Sequence, residues 1–311
     1  MRVYVKMGGA SGTGKGFFFE RLILAMKREG VTIVTDSSCS HDISLQAVIQ
    51  YITNAKKYVL RLDGVWHNTE INFLRDNGPI QNSLTKTDGV VYQSKFSKLM
   101  CDKYLGVSSK PNVTISNGAE IVNHNKSINT KVVLTASRWR PHKRLTDIIE
   151  SFLLAKIDGS VLYVAGDLKL SGIKAAKMLE YSNNSNIVFL GHLSQEILRT
   201  YLKAADVFLH LSWIDWCPNS VVEAIALGIP VITNNVGGTC ELVEPSGGFV
   251  LSLDSVYDMK PCKLYDPPPI DRTIVAAAIQ KCCSEIVNID SNHVNIDNIA
   301  KQYIDFFRSL L

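Results

Sequence analysis

Residues 212–241 restrict what this chain can fold into more than any other stretch: S-W-I-D-W-C-P-N-S-V-V-E-A-I-A-L-G-I-P-V-I-T-N-N-V-G-G-T-C-E. Just before them, residues 207–211 read V-F-L-H-L, apolar enough for a buried strand. Polar and turn residues follow, and then a short helix over 220–227 whose only charge is Glu223. Gly228 stops that helix, and Pro230 comes two residues later. Residues 231–233 read as the next buried strand, and Gly237-Gly238 opens the turn after it. Strand, polar loop, helix, strand is one right-handed α/β crossover.

In sheets built from such units, ligands bind beyond the carboxyl ends of the strands. Asp215, Asn219, Ser220 and Glu223 all fall at such an end. Asn219, Ser220 and Val221 lie at the helix start, where unpaired N–H groups and a partial positive charge favour an anion. Glu223 has a second explanation, because Ser220-x-x-Glu223 fits a capping box and a first-turn carboxylate is favourable anyway. Capping accounts for neither Asp215, eight residues upstream, nor the Gly-Gly turn.

Together these residues resemble the donor site of glycosyltransferase family 4, the retaining GT-B enzymes. That family carries two acids separated by seven residues, then E-A-x-A-x-G-x-P-V-I and G-G-x-x-E-L. Residues 223–232, E-A-I-A-L-G-I-P-V-I, match the middle, and residues 237–242, G-G-T-C-E-L, match the end. The first acid is Asp215, one methylene shorter than the family's commoner Glu. The resemblance implies an α/β GT-B architecture, two Rossmann-like domains with parallel sheets facing a central cleft. The second would bind a UDP- or GDP-linked sugar, and the first a carbohydrate or glycoconjugate acceptor. A sugar would pass to an acceptor hydroxyl with anomeric retention, Glu223 taking the ribose hydroxyls and Asp215 the donor sugar.

Composition agrees with two globular domains: 311 residues, 46% hydrophobic and 20% charged. No apolar run approaches the length of a membrane span, and M-R-V-Y-V-K leads into glycines without the apolar core of a secretory signal. Seven cysteines without a C-x-x-C suggest free thiols and a cytoplasmic protein. Residues 1–128 hold 16 Lys+Arg and 10 Asp+Glu, whereas residues 129–311 hold 17 and 19. A basic first half suits an anionic acceptor or peripheral contact with a negatively charged membrane. Ordinary solvated charge explains it equally, since the basic residues form no block. No nucleic-acid-binding motif is present.

The chain opens Rossmann-like, with a strand over 2–6, the glycine loop G-G-A-S-G-T-G-K-G over 8–16, a helix over 17–28 ended by Gly30, and a strand over 31–35. Amides of this loop, Gly12 and Gly14 among them, can approach phosphate or sugar oxygens. Gly9-x-x-x-x-Gly14-Lys15 also matches a Walker A loop up to its last position, where Gly16 replaces the magnesium-holding hydroxyl. A P-loop-like nucleotide hydrolase therefore stays open as an alternative, as does a non-catalytic nucleotide-sugar-binding protein. Residues 43–53 read as a helix and 58–62 as a strand, leading into R-L-D-G-V-W-H over 61–67. Many family members have a similar R-x-D-G segment or a histidine facing the donor sugar, which makes Asp63 and His67 cleft candidates. An Asx turn and a surface histidine would explain them equally. A helix over 78–86, a strand over 89–92, a helix from Ser94 to about 105 and a strand over 112–115 complete this half. Ser116-Asn117-Gly118-Ala119 then resembles the family's turn at the domain boundary.

The second half restarts with a strand over 131–136 and the loop S-R-W-R-P-H-K-R over 137–144. Four cations at a helix N-terminus are at the wrong end, costing about 0.3–1 kcal/mol each if exposed. Local rules are usually broken at functional sites. Arg138 and Lys143 have the spacing of the family's R-x-x-x-x-K phosphate clamp, although Arg144 stands where Gly is common; a solvated basic patch is the bland alternative. Strands over 161–165 and 186–190 follow, the latter ending in Gly191-His192-Leu193, a turn that in the family lies near the nucleobase. No D-x-D occurs, so no metal and no cofactor is expected beyond the nucleotide sugar as co-substrate. Arg138, Lys143 and the helix start at Asn219-Ser220 would neutralise the leaving diphosphate instead. The expected organisation is an acceptor-side domain over 1–128, a nucleotide-sugar domain over 129–290, and a final amphipathic helix within 291–311 crossing back to the first.

Overall fold

The computed structural model describes residues 1–6, 14–106, 109–122, 130–253 and 257–311. The first half builds a sheet from β1 (Arg2–Lys6), β2 (Thr32–Val34), β3 (His41–Ala47), β4 (Ala55–Leu62), β5 (Gly89–Tyr92) and β6 (Asn112–Thr114). Its order is β2-β1-β3-β4-β5-β6, with every pairing parallel. The helices are α1 (Gly14–Arg28), α2 (Phe73–Thr85) and α3 (Lys95–Leu105). The second half repeats the scheme with β7 (Lys131–Ala136), β8 (Ser160–Ala165), β9 (Ile187–Gly191), β10 (Val207–His210), β11 (Val231–Asn234) and β12 (Phe249–Leu251), again all parallel. Here the order is β12-β11-β10-β7-β8-β9. Its helices are α4 (Leu145–Ala155), α5 (Ala175–Ser182), α6 (Gln195–Ala204), α7 (Asn219–Ala226), α8 (Cys240–Ser246) and α9 (Arg272–Ser284). Strand order reverses between β1 and β3 and again between β7 and β10, which opens a ligand crevice beyond each point.

One expected helix is a strand. Residues 43–53 space Ile43, Ala47, Val48 and Tyr51 as a helix face would, yet β3 lies between β1 and β4 and is paired along its length with both. Both faces of β3 are covered, so apolar alternation is blurred, as in other parallel sheets. Its polar side chains are satisfied locally: the Gln46 amide donates to Ser44 Oγ and to the Tyr51 carbonyl, each at 2.8 Å. The helix expected from residue 78 starts earlier, at Phe73, where the Asn72 side chain accepts the Arg75 N–H.

The final helix, α10 (Ile296–Leu310), presents Ile296, Ile299, Ala300, Tyr303, Ile304 and Phe307 along one stripe. That stripe shares a core with Phe18, Phe19, Leu22, Ala25 and Met26 of α1 and with β1 and β3 of the first sheet. Each fully buried large side chain contributes on the order of 2 kcal/mol of transfer free energy. Gly89 permits this docking, since a Cβ there would press on Leu310 and Phe306. The chain returns to the first half beside the segment that leaves it, Ala119 bridging in parallel to Asn295. No described helix is long and apolar enough to cross a membrane.

A second return involves residues 257–264. Cys262 donates its N–H to the His67 carbonyl at 3.1 Å and accepts the Thr69 N–H at 2.9 Å, while Tyr104 Oη donates to the Met259 carbonyl at 2.9 Å. Thus a loop of the second half lies along the first half like a short extra strand.

Candidate functional site

The loops after β7 and β10 flank the second reversal point and meet over α7. The β7 loop is anchored by Trp139, which is buried and donates Nε1–H to the Ala165 carbonyl at 2.8 Å. Residues Pro141–Lys143 form a single 3-10 turn, and Arg144 then adopts φ 55°, ψ 40° before α4 begins. This left-handed conformation explains why Gly is common at that position in the family that the sequence resembles. Arg144 stays there buried, its Nη2 donating to the Pro268 carbonyl at 2.9 Å.

Lys143 Nζ lies 2.6 Å from Asp215 Oδ2, and both side chains are 16% exposed. His210, from the buried strand β10, places Nε2 3.1 Å from the same oxygen, and Oδ1 of Asp215 accepts the Trp216 N–H at 2.9 Å. Burial works against the Asp215 carboxylate, but Lys143 and His210 outweigh it and hold it well below the usual range. Burial keeps His210 below its ordinary value in spite of Asp215. His142, one residue before Lys143, is pushed down to about 3 by burial and then by Lys143. Neutral histidines thus surround one ionised pair. An ammonium has three donors, and Asp215 takes one of Lys143's. Arg138 is exposed nearby and pairs with no acid among the described residues.

The α7 terminus differs from the expected one. Pro218 is the N-cap, Asn219 is the first helical residue, and no side chain caps the end. Ser220 therefore sits inside the first turn and the capping box does not form. Val221 is fully buried in the second-half core, and its N–H and that of Val222 both donate to the Pro218 carbonyl at 3.2 Å. That leaves the amides of Asn219 and Ser220 as those at the open start of the helix. Glu223 reaches across to the first half, where Arg21 Nη1 donates to its Oε1 at 2.9 Å, and Gln195 Nε2 donates to the same oxygen at 2.9 Å. Arg21 Nη2 also reaches Asn219 Oδ1 at 3.3 Å, and Asn219 Nδ2 donates to the Gly14 carbonyl at 2.5 Å. A cavity of about 330 Å³ opens beside this group, lined in part by Arg21, Gln195, Arg199 and Glu223. A larger cavity, about 630 Å³, lies at the opposite end of the second sheet near Lys131, Gly228 and Pro230, away from these side chains.

The glycine pair packs the β11 loop onto the β10 loop. Gly237 has φ 90°, with a Cβ position 2.7 Å from the Asp215 carbonyl, and the Gly238 N–H donates to that carbonyl at 2.7 Å. Gly191 has φ 66° and its carbonyl accepts the Gly166 N–H at 2.7 Å; His192 is exposed and Leu193 half-buried at the mouth of that turn.

From the first half, Asp63 receives Lys15 Nζ at 2.5 Å and the Arg61 guanidinium. Arg61 is 1% exposed; besides Asp63 it bonds Gln93, Asn117 and the Tyr303 hydroxyl, and it stacks 4.6 Å from the Phe18 ring centroid. Burial, and then Arg61, push the Lys15 ammonium down to about 8. His67 is not a surface histidine. It is 3% exposed, its ring meets Trp216 edge-on at 5.5 Å, and burial lowers its basicity. Gly14 begins α1, whereas Gly12 and the rest of residues 7–13 lie outside the described residues, and with them most of the Walker-like loop.

Sequence reasoning missed Arg21, Gln195 and His210. His210 carries a signal in retrospect, as the single polar residue in the run V-F-L-H-L. Arg21 and Gln195 carry none, because their importance comes from contacts across sequence separations of 202 and 28 residues.

Comparison with known proteins places these features. Residues 118–257 match the family Glycosyl transferases group 1. An O-antigen biosynthesis glycosyltransferase of Escherichia coli, WbnH, is 25% identical over 182 residues, 58% of this chain and 51% of that protein. The chain spans about half the length of the curated relatives it first matches, 51% for both WbnH and WbiN, a probable O-antigen biosynthesis glycosyltransferase of Escherichia coli. Sucrose-phosphate synthase from Thermosynechococcus elongatus superposes with a TM-score of 0.70 at 14% identity, covering 99% of this chain and 98% of the other. The Anabaena protein HepE, solved with UDP and glucose, superposes with a TM-score of 0.66 at 16% identity, covering 99% of each chain. The fold is therefore the α/β GT-B fold, with two Rossmann-like sheets.

Proposed function

Since residues 118–257 match the family Glycosyl transferases group 1, we propose that the chain is a retaining, metal-independent glycosyltransferase. It moves a hexosyl-type sugar from a nucleoside-diphosphate sugar to a hydroxyl of a glycan, glycoconjugate or lipid-linked acceptor. The observation that carries this reading is the Lys143–Asp215 pair, 2.6 Å apart at the end of β7 and β10 beside the α7 terminus. A diphosphate leaving group develops negative charge as the glycosidic bond breaks. Fixed cations and helix amides aimed at that charge stabilise the transition state, each contact being worth about 3–4 kcal/mol. In this reading Lys143 and Arg138 face the diphosphate, with the Asn219 and Ser220 amides behind it. Asp215 keeps the Lys143 ammonium in place and faces the donor sugar. Glu223 takes the ribose, and the Gly191–Leu193 turn borders the base. Asp63 and His67 stand on the acceptor side, Asp63 held by Arg61 and Lys15. HepE is solved with UDP and UDP-glucose, which supports a uridine diphosphate sugar as the first donor to try. The basic first half supports an anionic or membrane-borne acceptor.

A thermal-shift screen of nucleotide sugars, followed by turnover with and without EDTA, tests the proposal. A matched donor at about 100 times its Kd stabilises by about 2.7 kcal/mol. Turnover should survive excess EDTA, since no D-x-D is present. Activity lost in EDTA and restored by manganese would remove the cationic-clamp reading. Donor binding without any turnover would favour a non-catalytic binding protein.

A further inference from the structure

Both donors to Glu223 converge on one oxygen. Arg21 Nη1 and Gln195 Nε2 each lie 2.9 Å from Oε1. Among the described residues, no protein group bonds Oε2. A carboxylate oxygen accepts about two hydrogen bonds, so Oε1 is filled while Oε2 keeps its full capacity. The last torsion of a glutamate side chain is otherwise broad, so an unheld carboxylate would turn both oxygens toward a ligand at random. Arg21 itself is held from two sides, by Glu223 and by Asn219 Oδ1. Its Nε–H is buried without an acceptor among the described residues. A buried, unsatisfied donor is costly, so the guanidinium sits where Glu223 and Asn219 require it rather than where its own hydrogen bonding is complete.

We propose that Arg21, a residue of the acceptor-side half, is a positioning residue for the nucleoside of the donor. It fixes Oε1 of Glu223 and so presents Oε2 to the vicinal diol of the ribose. Because α1 and α7 belong to opposite halves, the ribose-binding oxygen is oriented only when the two halves meet. The inference rests on the reading that Glu223 takes the ribose. It adds that the first half controls how well it does so.

The test compares ribose with deoxyribose. Calorimetry would use two pairs of probes, UDP with 2′-deoxy-UDP and GDP with 2′-deoxy-GDP, and carry the tighter pair through the variants Arg21→Ala, Arg21→Lys and Glu223→Gln. Removing Arg21 should weaken the ribonucleotide about tenfold and leave the deoxynucleotide nearly unchanged, as expected for hydrogen bonds routed through a charged acceptor. Arg21→Lys keeps the cation and should recover part of the preference; it also serves if Arg21→Ala does not fold. Melting temperatures of all variants are read in parallel. Equal weakening of both nucleotides by Arg21→Ala would mean that Arg21 only joins the halves, and would overturn the proposal. So would no change with either. If Glu223→Gln loses the ribose preference while Arg21→Ala and Arg21→Lys keep it, Arg21 fails alone. If the unmodified protein shows no ribose preference, or binds neither pair, the role of Glu223 fails and the proposal with it.

Discussion

The indole of Trp216 lies against the α-carbon of Gly64, with no room between them for a Cβ. Trp216 follows Asp215 of the second half, and Gly64 follows Asp63 of the first, so one contact ties the segments that carry the two acids. Gly64 also has φ 145°, which side chains rarely adopt.

Gly64→Ala should therefore destabilise the protein by about 1–3 kcal/mol, the usual range for overpacking. The double variant with Trp216→Ala should lose less than the sum of the single losses, because the clash is gone. Chemical denaturation of the four proteins measures the coupling, and strict additivity would show that the contact carries no load.

Glu241, within G-G-T-C-E-L, spans the same junction. Its two oxygens accept the Lys95 and Phe96 N–H groups at 2.7 Å each, so it caps a helix of the other half together with Ser94. Glu241→Ala should cost about 0.5–2 kcal/mol, as loss of a cap does. Because the cap joins two halves, it should also increase the radius of gyration measured by X-ray scattering. A lower melting point at constant radius would confine the effect to the helix.

Variants of Lys143 and Lys15 distinguish the two readings of where a phosphate would bind. Lys143→Ala should lower turnover about a hundredfold, the scale of one lost contact to a charged transition state. Lys15→Ala should raise the KM for acceptor and leave nucleoside diphosphate affinity intact, since Lys15 is engaged with Asp63. The reverse pattern, with nucleotide binding lost in Lys15→Ala and Lys143→Ala silent, would move the nucleotide hydrolase reading ahead.

Acid should weaken the fold before carboxylates titrate. Burial pushes His142 down to about 3 and also lowers His67 and His210. An unfolded histidine protonates near pH 6.5, and these folded ones take up their protons only at lower pH. Stability is thus complete above about pH 6.5 and falls as pH drops, by about 1.4 kcal/mol per pH unit for His142, with His67 and His210 adding in the same direction. Unfolding free energies at pH 7, 6 and 5 should show this slope, and His142→Gln should reduce it. A flat profile over that range would mean that these rings take up protons in the folded state.

The alternation of strands, glycine stops and helices made the architecture legible, because each unit closes with its own local signal, such as Gly228 before β11. The β3 strand was hidden by accidental helical spacing in a segment buried on both faces. At the site, the sequence placed Asp215, Lys143 and Glu223 at strand ends but not their partners. Asp215 faces Lys143, 72 residues away, and Glu223 faces Arg21 across the cleft. Such pairings depend on how two domains dock, which no local pattern encodes. The left-handed Arg144 shows the converse, a residue whose type conflicts with its backbone and is held there by tertiary contacts.

The two returns of the chain to the first half, at Cys262 and along α10, bear on how such a protein could be rebuilt. The two halves look like cassettes to be exchanged between related proteins at a single splice near residue 120. Here one splice would send a foreign helix onto α1 and a foreign loop beside His67. A working hybrid would need four crossovers, so that α10 and residues 257–264 travel with the half they cover while α9 between them stays with the second.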